Sequence, residues 1–180
     1  LLLGGLSHYG LGQMEKAATY LAAFIDANPR HPGSRKLLGS IELGRGNHRE
    51  AIEVLEPARR AAPRAPDVLA LMASAYMGRG QYETANRLLE EALYFGAALE
   101  AIRGGSCLML SEIFRVGSEL ERAAEHCRRG LAVTPKGKVR SALLLEARAI
   151  LHGRTERLTR MHLHDALEDF PIARFARAGA

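Results

Sequence analysis

Shifting the chain against itself by 34 residues places Gly5 on Gly39 and Ala73, Gly12 on Gly46 and Gly80, Ala17 on Ala51 and Ala85, and Leu21 on Leu55 and Leu89. Pro29 falls on Pro63 in the same register. A chain that repeats small residues at this interval does not close around one core. It stacks like units, each burying its apolar face on the next. The small residues mark where two helices must approach closely.

The clearest copy runs from Asp67 to Leu93. Leu69, Met72, Ala73 and Tyr76, then Tyr82, Ala85, Leu88, Leu89 and Ala92, recur every three or four positions, the period of a helix with one buried face. Between the two runs lies Met77-Gly78-Arg79-Gly80-Gln81, where glycine accepts the positive φ that ends a helix. The copy therefore reads as an antiparallel helical hairpin. Leu69, Met72-Ala73, Tyr76, Ala85 and Leu89 occupy the places of W-x-x-L-G-x-x-Y and A-x-x-x-F, and on them the chain resembles the tetratricopeptide repeat family. It departs from that pattern in having no tryptophan, leucine for the large aromatic of the second helix, and Ala97 where the third copy would close with proline.

At 180 residues, 47% hydrophobic and 25% charged, the chain has ordinary globular composition and room for about five hairpins in one elongated domain. The expected fold is an all-α, right-handed α-solenoid of antiparallel hairpins at about 1–31, 33–62, 66–96, 98–134 and 138–170, with a short capping helix at 172–178 over the last apolar face. No apolar run approaches the ~18 to 20 residues that cross a bilayer. The opening LLLGGL is too short, and lacks the basic flank, for a signal peptide. Because the chain starts without methionine and partway through a first helix, it is expected to be a piece of a longer repeat protein, which leaves bacterial cytoplasm and periplasm both open. Cys107 and Cys127 do not make a disulfide framework and are expected as buried free thiols.

Local signals set the boundaries. Ser34 and Asp67 are placed to cap the second and third hairpins. Pro57 is expected to kink its helix or shift its boundary. After Leu93 the register slips, Gly117 lying 37 residues beyond Gly80 and Ala123 lying 38 beyond Ala85, with the insertion assigned to the stretch 96–105. A turn is expected at His152-Gly153-Arg154 in the fifth hairpin.

In tetratricopeptide proteins the first helix of each hairpin lines the concave face, and the resemblance implies the same here. The rows are Leu3, Leu37, Leu71, Leu108; Leu6, Ser40, Ser74, Ser111; Tyr9, Leu43, Met77, Phe114; and Gly10, Gly44, Gly78. Together with Lys36 they form a candidate groove of Lys36, Leu37, Ser40, Leu43, Leu71, Ser74, Met77, Leu108, Ser111 and Phe114, suited to an apolar helix or extended segment of a protein partner. For Leu37, Leu71 and Leu108 packing inside the hairpins is the favoured alternative, and for Leu43, Met77 and Phe114 the two placements stand level. The carboxylate-clamp form of the family, which holds a peptide C-terminus, is rejected, because only Lys36 fits it and serines replace the asparagines.

The formal charge of +5 is uneven. Residues 1–100 carry 11 basic and 11 acidic side chains, and residues 101–180 carry 14 and 9. The alternative reading is an anionic partner, nucleic acid or acidic polysaccharide, at a basic patch of Arg122, Arg128, Arg129, Lys136, Lys138 and Arg140. No aromatic residue lies between Arg122 and Arg160, so the stacking platform of a single-strand binder is missing and nucleic acid is disfavoured. A solvated helical face explains the same residues.

Catalysis fares worst. His126 and Cys127 are adjacent and diverge by about 100° on a helix, and His162 and His164 lack the i, i+4 spacing of a zinc pair. His162 with Asp165 at i, i+3 is a surface pair without a third group. No catalytic residue, metal site or cofactor is expected. The reading is a non-catalytic binding or scaffold module. KLLGSIELGRGNHREAIEVLEPA and DVLALMASAYMGRGQYETA, within residues 20–93, resemble the long tetratricopeptide proteins that accompany bacterial exopolysaccharide production and PEP-CTERM sorting, which implies a role in envelope or secretion machinery.

Overall fold

A computed structural model describes residues 1–97 and 99–158 of the chain. Among them the order is α1 (Leu2–Gly10), α2 (Met14–Ala27), α3 (Pro32–Gly44), α4 (His48–Ala61), α5 (Pro66–Gly78), α6 (Tyr82–Phe95), α7 (Glu100–Val116), α8 (Leu120–Val133) and α9 (Lys138–Leu158). The helices group into two units, Leu1–Gly96 and Ala97–Ala180. The cap expected at 172–178 and the end of the fifth hairpin lie outside the described residues.

In the unit Leu1–Gly96, three hairpins pair α1 with α2, α3 with α4 and α5 with α6. Each closes with the same turn. Gly12, Gly46 and Gly80 adopt φ of 72°, 79° and 72°, the left-handed region that glycine enters without a Cβ penalty. One residue later, the amides of Gln13, Asn47 and Gln81 donate to the carbonyls of His8, Glu42 and Tyr76, each at 2.9 Å. The glycine column is therefore a column of identical turns.

The small-residue column does what close helix packing requires. A Cβ added to Gly39 would stand 2.6 Å from Leu55 Cγ, and one added to Gly5 would stand 2.9 Å from Leu21 Cγ. Leu21, Leu55 and Leu89 are fully buried, as are Ala17, Ala51 and Ala85. Each such leucine contributes about 1.5–3 kcal/mol by leaving water. Pro57 lies within α4, which neither ends nor starts there.

Two caps differ from expectation. His31, not Ser34, caps α3: its Nδ1 accepts the Ser34 amide at 3.1 Å, and the buried Ser34 hydroxyl donates back to the His31 carbonyl at 3.0 Å. Pro32 takes the first helical position, where its missing N–H is no loss. Asp67 likewise sits inside α5, one residue after Pro66, with Ala65 at the cap.

In the unit that begins at Ala97, α7 and α8 form the fourth hairpin and α9 packs on both. Its turn corrects the register. Ser118 has φ of 63°, and the Glu119 amide donates to the Phe114 carbonyl at 2.7 Å, so Ser118, not Gly117, occupies the slot of Gly80. Turn and second helix both lie 38 residues beyond the third copy, and the four extra residues lengthen α7 to 17 from the 13 of α5. Four residues make about one helical turn, so the faces return to their places. The expected turn at His152-Gly153-Arg154 is absent, α9 continuing to Leu158. A glycine inside a helix costs only about 1 kcal/mol, which burial of Leu143, Ala147 and Ile150 outweighs.

Candidate functional site

The candidate site is the face that α1, α3 and α5 turn away from their own second helices. Each of these helices buries the side that meets its hairpin partner, as Leu69, Met72 and Ala73 do on α5, and leaves the next stripe partly open. On α3 that stripe is Lys36, Ser40 and Leu43, and on α5 it is Leu71, Ser74 and Met77, all half-buried, whereas the half-buried Leu37 packs against the core that α2 and α3 share. On α1 it is Leu3, Leu6 and Tyr9, at 82%, 46% and 39% exposure. Gly10, Gly44 and Gly78 are exposed at its end, and the His48 ring lies against Gly78, where no Cβ would fit.

Two charges stand in this apolar field, and they are joined. Lys36 Nζ on α3 donates to Asp67 Oδ2 on α5 at 2.5 Å, while Asp67 Oδ1 accepts the Val68 amide at 2.9 Å. Desolvation pushes the Asp67 carboxyl up, but the bonds from Lys36 and Val68 outweigh it, so its pKa lies below the usual carboxylate value. Local sequence pattern marks Asp67 only as a cap. The signal that exposes it is that Asp67 and Lys36 fall on the first helices of neighbouring copies, Asp67 in the slot of Gly33, three residues before that of Lys36.

At the far side of α3, Glu42 is buried yet fully engaged, accepting from Arg45 Nη1 at 3.0 Å and Asn47 Nδ2 at 2.7 Å. Arg45 also reaches Glu15 of α2 at 2.8 Å. These bonds hold the turn and leave the open stripe untouched.

The 38-residue register corrects the groove in the second unit. Ser111 and Phe114 hold the slots of Ala73 and Tyr76, which face the hairpin partner, and both are buried. Ser111 Oγ donates to the Ala123 carbonyl at 2.9 Å, and Phe114 stacks on His126 at 5.3 Å. A one-residue slip turns a helical side chain by about 100°, which separates a groove position from a core position. Leu108 takes the slot of Ala70 and is half-buried.

Three of the six residues of the basic patch are engaged. Arg122 bonds Glu119 at 2.8 Å and lies 3.9 Å over the Phe114 ring, and Arg128 bonds Glu125 at 2.6 Å. Arg140 donates to the carbonyls of Leu131 and Thr134, which end α8. Arg129 is exposed, and Lys136 and Lys138 line a cleft of about 350 Å³ with Gly104, Thr134, Pro135 and Val139.

Both thiols are withdrawn from solvent. Cys107 and Cys127 are buried and not joined in a disulfide. Burial, then the nearby Glu146 charge, pushes Cys127 up to about 11, and its Sγ donates to the Leu143 carbonyl at 3.1 Å. His162, His164 and Asp165 lie outside the described residues. No helix among the described residues is long and apolar enough to cross a membrane.

Tetratricopeptide repeat signatures match residues 2–66 and 42–101. The chain belongs to the tetratricopeptide repeat family. No curated protein matches it by sequence. Among solved structures, a crystal structure of MamA is similar with a TM-score of 0.76 and 16% identity, over 97% of this chain and 94% of that one. TTC0263, a thermophilic tetratricopeptide repeat protein of Thermus thermophilus, is similar at 0.68 and 21%, over 98% and 96%. PilF of Pseudomonas aeruginosa is similar at 0.74 and 18%, over 98% of this chain and 73% of its own. At these identities the likeness is one of fold, an all-α helical-repeat solenoid. Tetratricopeptide repeats mediate protein–protein interactions and are generally non-catalytic scaffold modules.

Proposed function

We propose that the face of α1, α3 and α5 binds an apolar segment, helical or extended, of a partner protein. The observation that carries this is the open stripe Leu3, Leu6, Tyr9, Leu43, Leu71 and Met77, whose neighbouring charges, Lys36 and Asp67, neutralise each other. Apolar side chains held half-open in rows on rigid helices suit the helix-in-groove mode of recognition. Ser40 and Ser74 between the rows keep the floor shallow, so a partner backbone can approach. The resemblance of residues 20–93 to exopolysaccharide- and PEP-CTERM-associated proteins favours a scaffold in bacterial envelope or secretion machinery.

Affinity capture from the source cell tests the reading, comparing the native chain with a Leu43→Glu, Met77→Glu variant. Both positions are half-open, so the variant is expected to fold and to lose the partner. Equal recovery by both versions overturns the groove.

A second reading has a narrower base. An anionic partner at the cleft beside Val133–Val139 is supported by Lys136 and Lys138, whose ammonium groups have no acidic neighbour in the first turn of α9. Heparin retention that survives roughly 0.2 M salt and falls on Lys136→Gln, Lys138→Gln supports it; retention that the variant leaves unchanged removes it.

A further inference from the structure

Lys36 is the cation of the groove stripe, and its part-exposed ammonium would let it take a carboxylate from an arriving segment. It is not free to do so. Asp67, delivered from the next repeat 31 residues later, already accepts its hydrogen bond, and the Val68 amide fixes the other carboxylate oxygen. We infer that Asp67 is the specificity-determining residue of this groove: by occupying Lys36 it excludes acidic side chains and peptide C-termini, and it selects an uncharged apolar segment. The inference rests on the groove reading above and adds the chemistry of the partner.

The physical case is one of local charge. Among the rows that line the face, Lys36 and Asp67 are the charged residues, so the pair sums to zero and the surroundings are Leu, Met, Tyr, Ser and Gly. A carboxylate that reaches Lys36 also arrives beside Asp67, where two like charges repel in a partly dehydrated setting. It must displace an intramolecular partner that loses no association entropy. An apolar segment meets neither barrier, and it leaves the pair intact. Rejection built from an unfavourable contact, rather than from a better attractive one, is a general route to selectivity.

The test uses the full chain and a library of short random peptides with free carboxyl ends. Asp67→Asn keeps the side-chain shape and the acceptor for the Val68 amide, and replaces the charged oxygen that holds Lys36 with an amide nitrogen that cannot accept from it. Peptides enriched by the native chain are expected to lack Asp and Glu. Peptides enriched by Asp67→Asn are expected to carry an acidic residue or to dock by their terminus, binding about tenfold tighter than to the native chain, one charge-assisted contact's worth. Adding Lys36→Met to Asp67→Asn is expected to abolish that gain.

The same peptide composition from both chains, with native folding retained, overturns the role of Asp67. Peptides whose binding is indifferent to Leu43→Glu and Met77→Glu overturn the groove reading instead, and this inference with it.

Discussion

Arg115 Nε of α7 lies 2.7 Å from Glu146 Oε1 of α9, an ion pair across 31 residues, the same separation as that of Lys36 and Asp67 between α3 and α5. In each unit, then, a charge pair ties the first helix of one hairpin to the helix that follows that hairpin. The two pairs differ in burial: Glu146 is 11% exposed, whereas Asp67 is 42% exposed. Arg115→Met strands a nearly buried carboxylate and is expected to cost about 1–3 kcal/mol, read from the chemical denaturation midpoint. Glu146→Gln, which leaves only a half-exposed arginine behind, is expected to cost less. A negligible cost from both substitutions would mean that the pair does not hold α9.

Ser118 is the non-glycine residue in a column of left-handed turns. Substituting Ser118→Gly relieves the Cβ conflict at φ of 63° and is expected to stabilise the protein by about 0.5–1 kcal/mol in thermal unfolding. Gly117→Ala, one residue earlier and at φ of −71°, is expected to be near neutral. A clearly destabilising Gly117→Ala together with a Ser118→Gly that brings no gain would return the turn to the register that the sequence suggests.

Cys127 has its thiol buried against the Leu143 carbonyl, with a pKa of about 11 against an ordinary 9.0. Two units fewer of thiolate make its reaction with a thiol-specific reagent at neutral pH about a hundredfold slower than in urea-unfolded chain, before burial slows it further. Comparable rates in the two states would contradict the packing of α8 on α9.

Acid weakens the protein in a defined direction. Glu56, through hydrogen bonds from Arg59 chiefly and also Arg60, and Asp67 both have folded pKa values below their ordinary 4.5 and 3.8. A carboxylate with a depressed folded pKa stabilises the fold above its unfolded pKa, and that contribution is lost as pH falls through the folded value. The denaturation midpoint is therefore expected to fall as pH drops below about 4.5. A midpoint that holds or rises there would mean that these pairs contribute nothing.

Much of this architecture is legible in the chain because the repeat writes the same physics several times. Gly12, Gly46 and Gly80 recur because each must enter the left-handed region, and Gly5 and Gly39 are small because Leu21 and Leu55 press on them. Where a slot is filled by a different residue, identity misleads. Gly117 beside Ser118 looks like the turn glycine, and that one-residue error shifts Ser111 and Phe114 from the core to the groove. The caps are obscured for another reason. His31 caps α3 through a ring nitrogen, and a proline at the first helical position displaces both Ser34 and Asp67 from the cap. The pairing of Lys36 with Asp67 depends on the spacing of neighbouring repeats, which no local pattern in either helix reports.

The most direct measurement of the groove places a photo-crosslinking residue at Met77 in one chain and at Arg49, an exposed position at the start of α4, in another, and irradiates both in the source cell. A crosslinked partner recovered from Met77 and not from Arg49, and lost when Leu43→Glu is added, is the predicted result. Crosslinks of equal yield and identity from both positions would contradict it.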